Sequence, residues 1–154
     1  MLLLQQVGDL FSQNYFLIRL FNSIHVRLFQ MSNGRLLGSL AGLSSLLLTT
    51  TGRRSGKLRT SALIYLEWQH KYLVVPSYGG NPKPPAWFLN LKENPKVKVH
   101  ISGRKLEAIA KVAESKTRNM VWPKLLEFYP SFGKYEELSG RTIPVVILEP
   151  LTQN

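Results

Sequence analysis

The chain has 154 residues, 44% of them hydrophobic and 19% charged, which is enough apolar matter for one buried core and leaves little room for a second domain. Twenty lysines and arginines against nine acids leave a net charge of +11, which asks for an anionic partner such as nucleic acid, a membrane surface, or a phosphorylated or polycarboxylate ligand. No cysteine is present, so thiolate metal centres, a cysteine nucleophile and disulfides are excluded, and the few acids argue against a paired-carboxylate hydrolase.

In chain order, Met1 to Leu4 is too short for a signal-peptide core, and no apolar run approaches the ~20 residues that span a bilayer. Leu10, Leu17, Leu20, Phe21, Ile24 and Leu28 instead recur at helical spacing. Arg19, Ser23, Arg27 and Gln30 fall mostly on the other side. Residues 1–33 thus read as an amphipathic helix, stopped where Asn33 or Gly34 adopts the left-handed conformation. Its stripe either packs on the domain or a second copy, or lies on a membrane surface, since it is aromatic-rich and has arginines beside it.

Residues 34–154 read as the folded domain. A glycine-bearing connector (Gly34, Gly38, Gly42) leads to a strand from Leu46 to Thr51, a turn from Gly52 to Gly56 and a strand from Leu58 to Glu67. A tight connection over Trp68, Gln69 and His70 makes a hairpin with a third strand, Lys71 to Ser77. Pro76 near its end suggests an edge or an exit. A Gly/Pro loop then opens a short helix, Pro85 to Glu93, with proline in its first turn.

Lys96 to Ser102 alternates strictly, which predicts Val97, Val99 and Ile101 inward and Lys96, Lys98 and His100 outward. Lys105 to Ala113 follows as a strand. Ser115 is placed as the cap of a helix that Pro123 kinks or restarts. A second short helix runs from about Gly133 to Leu138, and Thr142 to Glu149 is the last strand. Six strands in antiparallel hairpins with few crossovers predict a small antiparallel β-barrel with peripheral helices.

Three segments can carry chemistry. The first, Thr49 to Arg59, puts Arg53, Arg54, Lys57 and Arg59 with several hydroxyls on one glycine-framed hairpin, where planar guanidinium forks match phosphate oxygens. It is not a Walker loop, which needs four residues between its glycines and a Ser or Thr after the lysine. The second, Ser77 to Asn90, has paired glycines that let a loop lie flat on a ring, a helix start that offers free N–H groups, and Trp87 as a stacking wall. The third, Glu127 to Tyr135, spaces aromatics by three. Each also reads as ordinary structure: a solvated turn, core packing at Trp87 and Phe88, core aromatics. The histidines are scattered, with no H-E-x-x-H, no nucleophile elbow and no G-x-G-x-x-G after a strand. Any enzyme here would borrow its chemistry from a bound cofactor.

The runs LLLTTTGRRSGKLR, PSYGGNPKPPAWFLNLKENPKVKV, WPKLLEFYPSF and RTIPVVILEP keep the order and spacing of the deazaflavin-dependent nitroreductase family, which the chain resembles from about Phe21 to Pro150. The resemblance implies a six-stranded split β-barrel, similar to that of flavin-binding pyridoxamine-phosphate oxidases. It implies 8-hydroxy-5-deazaflavin (coenzyme F-420) as cofactor, with hydride passed to quinones, nitroaromatics or other unsaturated acceptors. It implies cofactor contacts at Arg53, Arg54, Ser55 and Arg59, at Val75, Pro76, Ser77 and Tyr78, and at Ala86, Trp87, Phe88, Leu89 and Asn90. The acceptor pocket would be lined by Ile64, Trp87, Tyr129, Phe132 and Tyr135, with Tyr129 or Tyr135 as a proton or hydrogen-bond donor.

Three positions depart from the family pattern. Tyr78 stands where some members have lysine, and Ile64 and Phe132 stand where the nitroreductase has tyrosine. Tyr65 is adjacent to Ile64 but faces the other side of the strand. A greasier pocket that favours quinones over nitroimidazoles is the expectation. The rival readings are the same barrel holding FMN or a haem-type ligand, and a basic barrel for single-stranded nucleic acid, which would need an aromatic strand face that is missing here. The expected location is the cytoplasm, with the helix able to meet the inner face of the membrane; a homodimer is the other expected partner.

Overall fold

The computed structural model describes residues 15–33, 39–40 and 43–151. Helix α1 spans Tyr15–Met31. Strands β1 (Ser39–Leu40), β2 (Leu43–Thr51), β3 (Leu58–Ile64), β4 (Leu66–Trp68) and β5 (Lys71–Val74) follow. A 3₁₀ turn at Tyr78–Gly80 leads to α2 (Ala86–Glu93). Then come β6 (Lys96–Ile101), β7 (Arg104–Val112), α3 (Ser115–Phe128), α4 (Ser131–Ser139) and β8 (Val146–Pro150).

All pairings among the described strands are antiparallel, in the order β1-β2-β6-β7-β8-β5-β4, with β3 on the other side of β2. The strand predicted over 58–67 is broken at Tyr65. Its first half pairs with β2 and its second half with β5, so one bent segment joins the two ends of the sheet. The expected six staves are therefore present, and the barrel is split where that segment changes partner. Tyr65 N–H donates to Ser44 C=O at 3.1 Å across the break. Pro76 marks an exit and not an edge, because β5 is flanked by β4 and β8.

Period-two alternation sorts the strand residues into two cores. Leu46, Leu48, Tyr72, Val74, Val97, Val99, Ile101 and Leu148 fill the barrel, plugged at one end by Trp87, Phe88 and Leu91 of α2. Leu73 of β5 and Val75 just after it point outward under Val121 and Leu125 of α3 and Phe132 and Tyr135 of α4. Each such side chain is worth ~1.5–3 kcal/mol of burial. Ser115 is the first helical residue of α3 and not its cap: Glu114 holds that place, without a side-chain hydrogen bond. Helix α3 also runs unbroken through Pro123, which is exposed, so water can take up the carbonyl it leaves unbonded.

The predicted outward set on β6 is wrong at one residue. Lys96 and Lys98 are exposed, but His100 is buried at 8% exposure. Helix α1 lies on that outer face. Phe29, fully buried, packs edge-on to the His100 ring at 5.1 Å, and His25 stacks on Phe29. His100 Nε2 lies 3.1 Å from Asn33 Oδ1, and Asn33 takes the left-handed conformation (φ 51°) that ends the helix, as expected. Asn22 Oδ1 accepts the Ala62 N–H of β3 at 2.8 Å, satisfying a strand edge that would otherwise be open.

The face of α1 that touches the barrel is thus Asn22, His25 and Phe29. Much of the apolar stripe read from the sequence points away: Leu20, Ile24 and Leu28 are 39–50% exposed, and Met31 beyond them is 84% exposed. The side chains of Leu10, Leu17, Arg19 and Phe21, and the connector glycines Gly34, Gly38 and Gly42, lie outside the described residues. No helix among the described residues is long and apolar enough to cross a membrane.

Burial, and then the Lys105 charge, lower the His100 pKa from its ordinary 6.5. A histidine whose folded pKa is depressed favours the folded state above its unfolded pKa, and that stability is lost as pH falls below it. Amide protection along α1, corrected for the pH dependence of intrinsic exchange, is therefore expected to fall as pH drops below 6.5, and His100→Gln should flatten the dependence. An equal slope in that variant would assign it to other groups.

Candidate active site

The hairpin turn between β2 and β3 is closed by its own backbone: Gly52 N–H donates to Lys57 C=O at 2.9 Å, and Gly56 N–H to Gly52 C=O at 2.8 Å. Four ion pairs occur among the described residues, and none uses Arg53, Arg54, Lys57 or Arg59. Among the described residues, no carboxylate neutralises the positive field of this turn. The turn is tied down by Asn90 of α2. The Asn90 Oδ1 accepts from Arg53 N–H (3.2 Å) and from the Arg53 guanidinium (3.3 Å), while Nδ2 donates to the buried Thr50 hydroxyl (3.2 Å).

A cleft of about 530 Å³ opens beside this turn, well within the usual size of a cofactor pocket. One wall is β3, from Arg59 and Thr60 to Ile64. The floor is the end of β5 and the loop after it, through Val75, Ser77, Tyr78 and Gly79. Pro85, Ala86 and Trp87 bring in the start of α2. Tyr129, Phe132 and Tyr135 close the far side, and Asn22 and Ser23 of α1 reach the rim.

The aromatic wall is built by mutual packing. Tyr129 meets Phe132 edge-on at 5.0 Å, Trp122 stacks behind Phe132 at 6.4 Å, and the Tyr129 and Tyr135 hydroxyls lie 3.4 Å apart. Ile64 faces this cleft, whereas Tyr65 turns into the barrel and packs edge-on against Tyr72. Burial raises the Tyr65 pKa, opposed by hydrogen bonds with Ser44 and Ser102. Its hydroxyl is committed on the opposite side of the strand from the cleft.

The loop over the floor is held in an unusual shape. Tyr78, Gly79 and Gly80 all have positive φ (48°, 61° and 82°). Arg141, just after the left-handed Gly140 that ends α4, donates to three carbonyls of this loop: Pro76 at 2.8 Å, Asn81 at 3.3 Å and Ser77 at 3.5 Å. Burial lowers the Arg141 pKa, and the Glu136 carboxylate works against that shift.

Of the residues named from the sequence, Arg59, Ile64, Val75, Ser77, Tyr78, Ala86, Trp87, Tyr129, Phe132 and Tyr135 line this one cleft. The others stand behind it or beside it. Phe88 is core and Leu89 packs against that core. Asn90 is spent on the turn, and Pro76 is buried with its carbonyl on Arg141. Arg54 and Ser55 are exposed on the turn, where the Ser55 hydroxyl accepts from Lys57 N–H. The sequence reading missed Asn22, Ser23 and Thr60 on the cleft and Arg141 behind it. A second hollow of about 490 Å³, on the outer face of β2, β6 and β7, shares Thr60 with the cleft and is lined by none of the cofactor or acceptor residues expected from the sequence.

The family model described as F420-H(2)-dependent quinone reductase matches residues 21–150. A protein of that same description from Mycobacterium tuberculosis is 33% identical over 129 residues, covering 81% of this chain and 87% of its own length. The solved structure of an F420-H2 dependent reductase, FDR-A, superposes with a TM-score of 0.63 at 40% identity, over 68% of this chain and 93% of that one. Another, described as a domain-swapped dimer, gives 0.63 at 35% identity, over 80% of this chain and 98% of the other. With the split barrel and the basic, aromatic-walled cleft in place, the chain belongs to the coenzyme F-420-dependent quinone reductase family, oxidoreductases that pass hydride from the reduced deazaflavin to a quinone.

Proposed function

We propose that the cleft between β3, the loop after β5 and the α3–α4 wall holds the deazaflavin and a quinone face to face. The observation that carries this reading is the convergence on one opening of Arg59, next to a basic turn that makes no ion pair among the described residues, a glycine loop and an aromatic wall. The residues fit the group. Arg59 at the edge suits a phosphate or carboxylate of the cofactor's anionic arm, Gly79 lets a flat ring system approach the loop, and the start of α2 adds N–H donors.

Bound and reduced, the deazaflavin supplies the hydride. The protein's part is orientation and exclusion of water, which in a closed site can supply much of a rate enhancement. Trp87 and the Tyr129–Phe132–Tyr135 wall hold an acceptor ring against the cofactor. The paired hydroxyls of Tyr129 and Tyr135 are the donors placed to meet a quinone oxygen as it gains charge. Ile64 and Phe132 keep the acceptor side apolar, which suits a quinone ring better than a nitroimidazole.

Fluorescence titration of the purified chain with the deazaflavin and with FMN tests the reading. Deazaflavin should bind more tightly. Arg59→Ala should weaken it by ~1.5–3 kcal/mol, the worth of a charge-assisted hydrogen bond, and Arg54→Ala by less because Arg54 stands off the cleft. Equal affinity for FMN, or no loss in the Arg54/Arg59 double variant, would overturn the site.

Two associations belong to the same reading. The exposed row Leu20, Ile24, Leu28 and Met31, with exposed Arg27 beside it on a chain of charge +11, suits an anionic membrane in which a lipid-soluble quinone resides. A homodimer is the other association, supported by the domain-swapped relative. The full chain is expected to co-sediment with anionic liposomes, and Ile24→Lys with Leu28→Lys should release it without lowering deazaflavin affinity. If both forms stay in the supernatant and the wild type elutes as a dimer that the pair of lysines splits, the stripe is a protein interface.

A further inference from the structure

Among the described arginines, Arg141 differs from the ion-paired Arg118 in its partners. Arg118 meets the Glu136 carboxylate, whereas Arg141 donates to three backbone carbonyls of a single loop. That loop runs from Pro76 to Asn81 and contains three consecutive left-handed residues, of which Tyr78 carries a side chain that disfavours the conformation. Its own bonds are few: Ser77 N–H to Val75 C=O, Gly80 N–H to Ser77 C=O and Asn81 N–H to Tyr78 C=O.

The other end of the link is equally specific. Arg141 follows the C-terminal cap of α4, and the Ser139 hydroxyl both caps Glu136 C=O and sits 3.4 Å from Arg141 N. Helix α4 carries Phe132 and Tyr135 on the far wall of the cleft. Ser77, Tyr78 and Gly79 form its floor. One guanidinium therefore spans the two sides. We propose that Arg141 is a positioning residue that fixes the separation of the floor loop from the aromatic wall, and so the shape offered to the deazaflavin. The bonds leave from two separate nitrogens of one planar fork, Nε to Asn81 and a terminal nitrogen to Pro76 and Ser77, a spread that the single nitrogen of lysine does not reproduce. The proposal rests on the functional reading above.

The test uses the full chain as wild type, Arg141→Lys and Arg141→Ala, with two readouts. Without cofactor, amide exchange of the 76–81 segment should quicken about tenfold or more in both variants, while the β6 segment 96–101 exchanges as in wild type. With cofactor, affinity should fall about tenfold or more in both, the scale of lost hydrogen bonds to a charged group. Guanidinium ion at non-denaturing concentration should restore binding to Arg141→Ala and not to Arg141→Lys, whose side chain still fills the site. Should the alanine variant fail to fold, the lysine variant carries both readouts. Unchanged exchange at 76–81 overturns the proposal, as does exchange that quickens equally throughout the barrel. A wild type that does not bind the deazaflavin sinks the functional reading and leaves the exchange result to judge Arg141 alone.

Discussion

Asn90→Ala is expected to cost about 2–4 kcal/mol of stability and to weaken deazaflavin binding, although Asn90 lies off the cleft. The amide is buried at 4% exposure and joins α2 to the basic turn through Arg53 and to β2 through Thr50. Removing it strands a backbone N–H and a fully buried hydroxyl, each costing ~1–3 kcal/mol when left unpaired. The turn then loses its anchor, and the arginines that it carries lose their fixed direction. Asn90→Asp should recover most of the loss. A carboxylate accepts both Arg53 bonds, and the Thr50 hydroxyl can donate to it. Urea unfolding and cofactor titration on the two variants check this, and equal losses in alanine and aspartate would show that the amide does not act through Arg53.

Gly80→Ala is expected to lower the melting temperature by on the order of 10 °C. Two penalties add. The residue sits at φ +82°, where a side chain costs ~1–2 kcal/mol. A Cβ there would also come within 3.0 Å of the Leu138 Cβ on α4, and overpacking of that kind costs about 1–3 kcal/mol. For a chain of this size 1 kcal/mol moves the melting temperature by roughly 2–4 °C. Gly56→Ala is the internal control. It has φ +66° and nothing within 4 Å of a new Cβ, so it carries the backbone penalty alone. If the two variants melt together, Leu138 gives way and the contact between the loop and α4 is soft.

Most of the barrel was legible in the sequence because alternation is a local signal that the structure obeys. Val97, Val99 and Ile101 point inward as read, and the six staves occur where the apolar runs stand. Three features were illegible for physical reasons. The break at Tyr65 changes partner strands without any change in composition, so a single run became β3 and β4. His100 is buried because α1 covers the outer face, a tertiary fact that no window around β6 contains. Ser115 and Glu114 differ by one residue at a helix start that makes no side-chain cap, so the usual signal misleads.

The cleft was legible to the extent that chemistry gathers in motifs. Arg59, Ser77, Tyr78, Trp87 and the Tyr129–Tyr135 segment were each marked by composition or by resemblance, and they meet around one opening. Asn22 and Ser23 were hidden because they sit on a helix read only for its apolar stripe. Arg141 was hidden because a lone arginine beside a strand looks like any solvated charge, and its partners lie 60 or more residues away.

The last strand, β8, pairs with β7 on one side and β5 on the other, so it is a central stave and not a trailing edge. During synthesis β2 to β7 can form hairpins, yet the circuit between β7 and β5 stays open until residues 146–150 leave the ribosome. The Tyr72↔Leu148 pairing joins positions 76 apart, a long loop to close and a slow one. Until then Tyr72, Val74 and Ala110 face water, and the unpaired edges of β5 and β7 are sticky. The barrel therefore closes in one step when β8 docks, and loss of β8 would leave an open sheet prone to aggregate and with no finished cleft.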